Sequence, residues 1–207
     1  MERLQLKYPI LLLSILVMSC SQKRFDSEKE LWAYVKTPEN GYFHEKKVGQ
    51  ITYSLTYRPT DVMVKQMLPN DFSERTIDSL RNKYKDYLYF NLGITANNKE
   101  ILNGKVGNRS AFRAMVNKLA FGMKENLTLI GKSRDTIEML DYVYPRMYGM
   151  SNSTDMLLVY PKDNSFLKEE YFFFTIKDLG FATGEVAFKI KTKALSEEPR
   201  LNFNRTL

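Results

Sequence analysis

Alternation with a period of two marks the clearest element of the chain. Ile51, Tyr53, Leu55 and Tyr57 interleave with Thr52, Ser54, Thr56 and Arg58, the pattern of a strand with one buried and one wet face. Pro59 stops it, and Thr60 or Asp61 offers a cap for a short helix through Leu68. Over residues 71–86 the period becomes helical, with Ile77, Leu80 and Tyr84 on one face. Two starts compete there: Asp71 with Glu74 as a capping box, or Ser73 as cap with Phe72 stapled onto Ile77. Residues 87–95 form an apolar run that predicts a buried strand. Residues 109–125 carry the most regular helical stripe, Phe112, Met115, Val116, Leu119 and Met123, with Asn108 as N-cap, and the stripe is expected in the core. Strands are expected next at 127–130, 136–148, 156–160, 171–176 and 185–193, the last setting Val186, Phe188 and Ile190 against Lys189, Lys191 and Lys193. Tyr171, Phe172, Phe173 and Phe174 are too apolar for a strand with a wet face and predict burial on both sides. Residues 26–37 fit either a short helix or a first strand. The whole predicts an α+β fold, mainly antiparallel sheet or an elaborated β-sandwich, with two or three helices.

One apolar stretch stands outside that pattern. Residues 8–18 are apolar apart from Ser14, come after Arg3 and Lys7, and give way at once to Ser21, Gln22, Lys23 and Arg24. The run is about half of the roughly 20 residues a membrane-crossing helix needs. Its layout is that of an export signal. Val17, Met18, Ser19 and Cys20 resemble the lipobox of bacterial lipoproteins, in which the cysteine becomes the lipidated N-terminus; Val17 and Ser19 fit the pattern and Met18 departs from it. The resemblance implies a signal over 1–19 cleaved between Ser19 and Cys20, lipid on Cys20, a tether over 20–27, and residues 28–207 as a single globular domain. Ser21 resembles the residue after the lipidated cysteine in outer-membrane lipoproteins. Lys23 and Arg24 stand where surface-displayed ones carry acidic residues, so the periplasmic face is expected. An ordinary cleaved signal is the alternative, and it would leave an exported chain with one unpaired thiol.

Charge and composition add constraints. The chain has 31 Lys and Arg against 24 Asp and Glu, a formal charge of +7, one Cys and one His. The basic residues are scattered, which suits solubility, and nucleic acid is not expected as a partner. With Cys20 committed to lipid, Cys/His zinc sites and thiol–His pairs are excluded. A Ser-His-Asp set would have to use His44, which lies among polar neighbours and is expected on the surface. Gly131-Lys132-Ser133 lacks the upstream glycine of a phosphate-binding loop, because position 126 is Asn. Ser165 and Lys168 match the Ser-x-x-Lys spacing of penicillin-binding enzymes, but Lys193 replaces the glycine their Lys-Thr-Gly element requires. No catalytic set, metal site or cofactor is expected. Tyr142, Tyr144 and Tyr148, beside Pro145, are the candidate ligand or partner surface.

The sequence therefore predicts an envelope lipoprotein, a non-enzymatic binding or accessory component held to the membrane by its N-terminal lipid, with a protein or envelope-polymer partner. The alternatives are an envelope hydrolase with Asp, Glu, Ser or Lys chemistry and a lipoprotein inhibitor or immunity factor. Growth on labelled palmitate tests the anchor: the wild type is expected to carry label and Cys20→Ala none, and equal labelling of the two removes the lipobox reading.

Overall fold

The computed structural model describes residues 22–147 and 149–203. Ser19, Cys20 and Tyr148 fall outside that range. In chain order the elements are β1 (Arg24–Phe25), α1 (Glu28–Lys36), β2 (Phe43–Val48), β3 (Ile51–Arg58), α2 (Thr60–Met67), α3 (Glu74–Tyr84), β4 (Tyr87–Ala96), β5 (Lys99–Glu100) and α4 (Arg109–Phe121). They continue with β6 (Leu127–Gly131), β7 (Thr136–Glu138), β8 (Asp141–Val143), β9 (Thr154–Pro161), α5 (Asn164–Leu167), β10 (Tyr171–Ile176), β11 (Val186–Lys191), α6 (Thr192–Ser196) and β12 (Arg200–Leu201). The fold is α+β, with antiparallel sheets apart from a parallel pair, β1 with β12.

Two sheets carry the core. One has six strands in the order β2-β3-β4-β9-β8, with β5 beside β4; the other runs β11-β10-β6-β7. Their inner faces meet through aromatic rings. Phe90 on β4 lies 5.7 Å from Phe174 and 6.5 Å from Phe172 on β10, and Tyr57 and Tyr160 close around it at 5.5 and 6.1 Å. Each large ring removes its surface from water and meets its neighbours tilted or edge-on, the geometry ring quadrupoles favour.

Local signals explain the helices. Ser27 caps α1 by accepting from the Glu30 amide at 3.2 Å, which decides 26–37 as helix. Ser73 starts α3 and forms a reciprocal box with Thr76. Asn108 caps α4 by accepting from the Ala111 amide at 3.0 Å. Six α-helices stand among the described residues where two or three were expected, α5 and α6 being the shortest.

Several expectations change in three dimensions. The segment 136–148 is not one strand: β7 pairs with β6 and β8 with β9, so the chain crosses between sheets at Met139 and Leu140, where Met139 is buried and the Leu140 amide donates to Val159. Strand β10 is two-sided: Phe172 and Phe174 point into the core, while Tyr171 and Phe173 lie half-buried on the outer face. Asp61 caps nothing. Its carboxylate, 2% exposed, takes Arg81 in a two-pronged pair at 2.7 and 2.8 Å and the Leu201 amide at 2.8 Å. Of the segment expected as a tether over 20–27, residues 22–25 are bonded to the body: the Arg200 amide donates to Lys23, the Asn202 amide to Phe25, and Gln22 Nε2 to the Glu198 carbonyl at 2.8 Å.

Asp61→Ala would leave a guanidinium and a buried amide without their acceptor, a loss of about 3 kcal/mol. The expected result is a clearly lower urea midpoint, whereas the exposed-site control Lys47→Ala changes stability by less than about 0.5 kcal/mol.

Candidate functional site

The two sheets have corresponding open edges, β2 on one and β11 on the other. His44 on β2 and Phe188 on β11 bring these edges together, with ring centroids 6.2 Å apart. Along that seam runs a groove of about 800 Å³. The turn after α1 (Pro38–Asn40), α6, and Gln22 and Lys23 from the N-terminal segment also line it.

Its lining is basic. Lys23, Lys189, Lys191, Lys193 and Arg200 face two carboxylates, Glu39 and Glu197, and Lys193 and Glu197 partly offset each other at 3.8 Å across one helical turn. Rings hold two of the ammonium stems: Lys189 lies 3.7 Å from the Tyr171 centroid and Lys23 4.5 Å from that of Tyr34. Such stacking limits side-chain freedom while the charge still faces water. Tyr171 stands opposite Lys191 and Phe173 opposite Lys189, so the half-buried aromatics of β10 are covered by the lysine stems of β11. Tyr42 is buried in the groove wall, and burial, with Tyr34 and Glu198 adding to it, drives its phenol well above the ordinary range.

His44 is half-buried in this wall rather than exposed. Its Nε2 lies 3.1 Å from the Gly41 carbonyl, and burial pulls its pKa below 6.5 against the opposing effect of that carbonyl.

The serines of the Ser-x-x-Lys and Gly-Lys-Ser stretches, and the carboxylates near them, are engaged in structural bonds. Ser165 donates to Asp163 at 2.6 Å at the start of α5, and those bonds hold the Asp163 carboxyl low. Ser133 donates to Glu169 at 2.6 Å, which lowers the Glu169 pKa, while Glu170 pairs with Lys132 at 3.0 Å. Glu198 is part-buried and accepts the Tyr57 hydroxyl at 2.8 Å and the Thr60 amide at 2.9 Å. Among the described residues no group of His, Cys, Asp and Glu is arranged to hold a metal ion. No described helix is long and apolar enough to cross a membrane.

A second surface lies at the far edge. Tyr142 and Tyr144 are half-buried against the core. Tyr144 also lines a pocket of about 300 Å³ with Leu102, Val106, Phe112 and Val116. Glu100, buried at 2% exposure, sits in its wall and accepts the Gly149 amide at 2.7 Å. Phe112 and Val116 therefore leave the stripe expected to be core, which keeps Met115, Leu119 and Met123. Val106, at 70%, belongs to this pocket, and Met150 at 80% and Val143 at 57% are exposed on the neighbouring segment 141–150.

The lysines of β11 were visible as the polar half of an alternating strand. Tyr34, Tyr42 and Arg200 were not, because each joins the groove from a remote segment.

Folding disfavours the charged form of His44, so the unfolded chain binds the extra proton. The stability at stake is intact above pH 6.5 and is lost as pH falls from there toward the lowered folded value. Urea unfolding at pH 7.5 and pH 5.5 is expected to show a larger acid loss in the wild type than in His44→Gln; equal losses remove the assignment.

No protein-family model matches the chain, and no curated protein sequence matches it. Among solved structures, a novel protein of unknown function from Burkholderia pseudomallei aligns at 14% identity and a TM-score of 0.42, over 81% of this chain and 88% of its own. A DUF4426 family protein from Pseudomonas aeruginosa aligns at 8% identity and a TM-score of 0.35, over 72% of this chain and 94% of its own.

Proposed function

We propose that this chain is an envelope lipoprotein. It is anchored by acyl chains on Cys20 to a bacterial outer membrane, faces the periplasm, and acts as a non-enzymatic binding or accessory component. The observation that carries the reading is the position of the basic groove. Gln22 and Lys23 line it, two residues beyond the expected lipid attachment, so a strongly cationic concavity adjoins the anchor. A concavity lined by ammonium groups selects anionic ligands. The commitment of Ser165, Ser133 and Glu198 to structural bonds supports binding over hydrolysis.

The exposed apolar set around α4 and β8 favours a protein partner as a second contact, in keeping with the accessory or inhibitor readings, since clustered apolar surface is costly to leave in water. In-cell cross-linking of the lipidated chain, followed by mass spectrometry, is expected to recover one protein in near-stoichiometric amount. Phe112→Asp should abolish that recovery, and recovery unchanged by the substitution would move the contact elsewhere.

A further inference from the structure

We propose that the basic groove docks onto phosphate-bearing lipid headgroups of the same membrane that holds the acyl chains, and so fixes the orientation of the body. This rests on the anchored reading above.

Three observations converge on it. The first is reach. Gln22 lines the groove and is bonded to the body, and two residues of chain span at most roughly 7 Å, so an anchor at position 20 would have to lie within that reach of the groove. That reach is comparable to the screening length of about 8 Å at physiological ionic strength, so attraction between the lysines and the headgroup plane is weakened but not abolished by salt.

The second is chemistry. Four of the five cations are lysines, whose compact ammonium groups suit phosphate as point charges and tolerate variable headgroup geometry. Tyr34, half-buried beside Lys23, adds an amphipathic ring of the kind that settles at a membrane–water boundary. Tethering also makes the surrounding lipid the ligand of highest effective concentration, ahead of any freely diffusing acidic polymer.

The third is the opposite edge. The six-stranded sheet separates β2 from β8 by four strand spacings, roughly 19 Å at about 4.8 Å each. A body seated on its β2–β11 edge therefore turns the apolar surface of β8 and α4 away from the lipid, where a second protein can reach it. The two carboxylates of the groove, Glu39 and Glu197, oppose docking, and the predominance of cations there outweighs them.

The test uses the full lipidated chain reconstituted in vesicles. With Cys20 acylated, a fluorophore placed through Ser196→Cys reports from the groove, and one placed through Met150→Cys reports from the opposite edge. Vesicles contain nitroxide-headgroup lipid as quencher, in phosphatidylcholine alone or with phosphatidylglycerol. Flotation is measured first: a wild-type chain that fails to float overturns the anchor, and the docking proposal with it.

For a chain that floats, the expected result is at least threefold more quenching at Ser196→Cys with phosphatidylglycerol than without, and little change at Met150→Cys. Each lysine near an anionic surface is worth about a fivefold shift in the docked-to-free ratio, so Lys189→Gln with Lys191→Gln should lower it by about 25-fold. Both residues are exposed, and near-UV circular dichroism checks that the double variant keeps its packing.

Equal quenching at both sites, or quenching indifferent to phosphatidylglycerol, overturns the docking. Two further arms separate the sources of the anion. A groove label on neutral vesicles that responds to inorganic phosphate, with no response to phosphatidylglycerol, replaces the headgroup by a soluble phosphate. A response to polygalacturonate alone replaces the membrane by an acidic glycan.

Discussion

The Asp61 carboxylate is the constraint on which the arrangement of both termini depends. It sits at the start of α2, nearly out of contact with water, where an ion persists only when its bonds are satisfied. Arg81 from α3 supplies two of those bonds and the Leu201 amide a third. That third bond fixes β12, and β12 is the strand that pairs with β1. Three residues earlier, Glu198 adds its own bonds to Tyr57 and Thr60. Chain segments more than a hundred residues apart thus converge on two acidic side chains, and the wall of the groove formed by Lys23 and Arg200 is placed by them.

Much of the fold was legible in the sequence, where a local period reports a local environment. Strands β3, β4, β9 and β11 alternate or run apolar as their burial requires, and α3 and α4 begin at side chains suited to capping. What stayed hidden was decided by neighbours from elsewhere in the chain. Tyr171 and Phe173 stay half-buried because the outer face of β10 carries no further layer and meets only the lysines of the adjacent strand. Met139 and Leu140 look like continuous strand until the register shows each half joining a different sheet. Asp61 reads as a cap, and only the fold brings Arg81 to it.

The candidate sites divide along the same line. Tyr144 was identified by its local context and lines a pocket, but the exposure of Phe112 depends on where α4 lies relative to β8. The groove is a property of two sheet edges meeting, and no single stretch of sequence contains it. Edge strands with unpaired backbone invite pairing with other chains, and here β2 bears Glu45, Lys46 and Lys47 while β11 bears Lys189 and Lys191. The charges that discourage unwanted strand addition are thus continuous with the charges that line the concavity.

The docking of residues 22–25 also decides how the molecule carries mechanical load. A pull on the N-terminus acts first on Gln22 and the short β1–β12 ladder, then through Leu201 on the Asp61–Arg81 pair, and so into α2 and α3. The sandwich itself, with its aromatic interior, lies behind that path. Tension would therefore peel away the terminal strands and distort the groove wall while the two main sheets stayed shut, making this corner the yielding element of an otherwise stiff body.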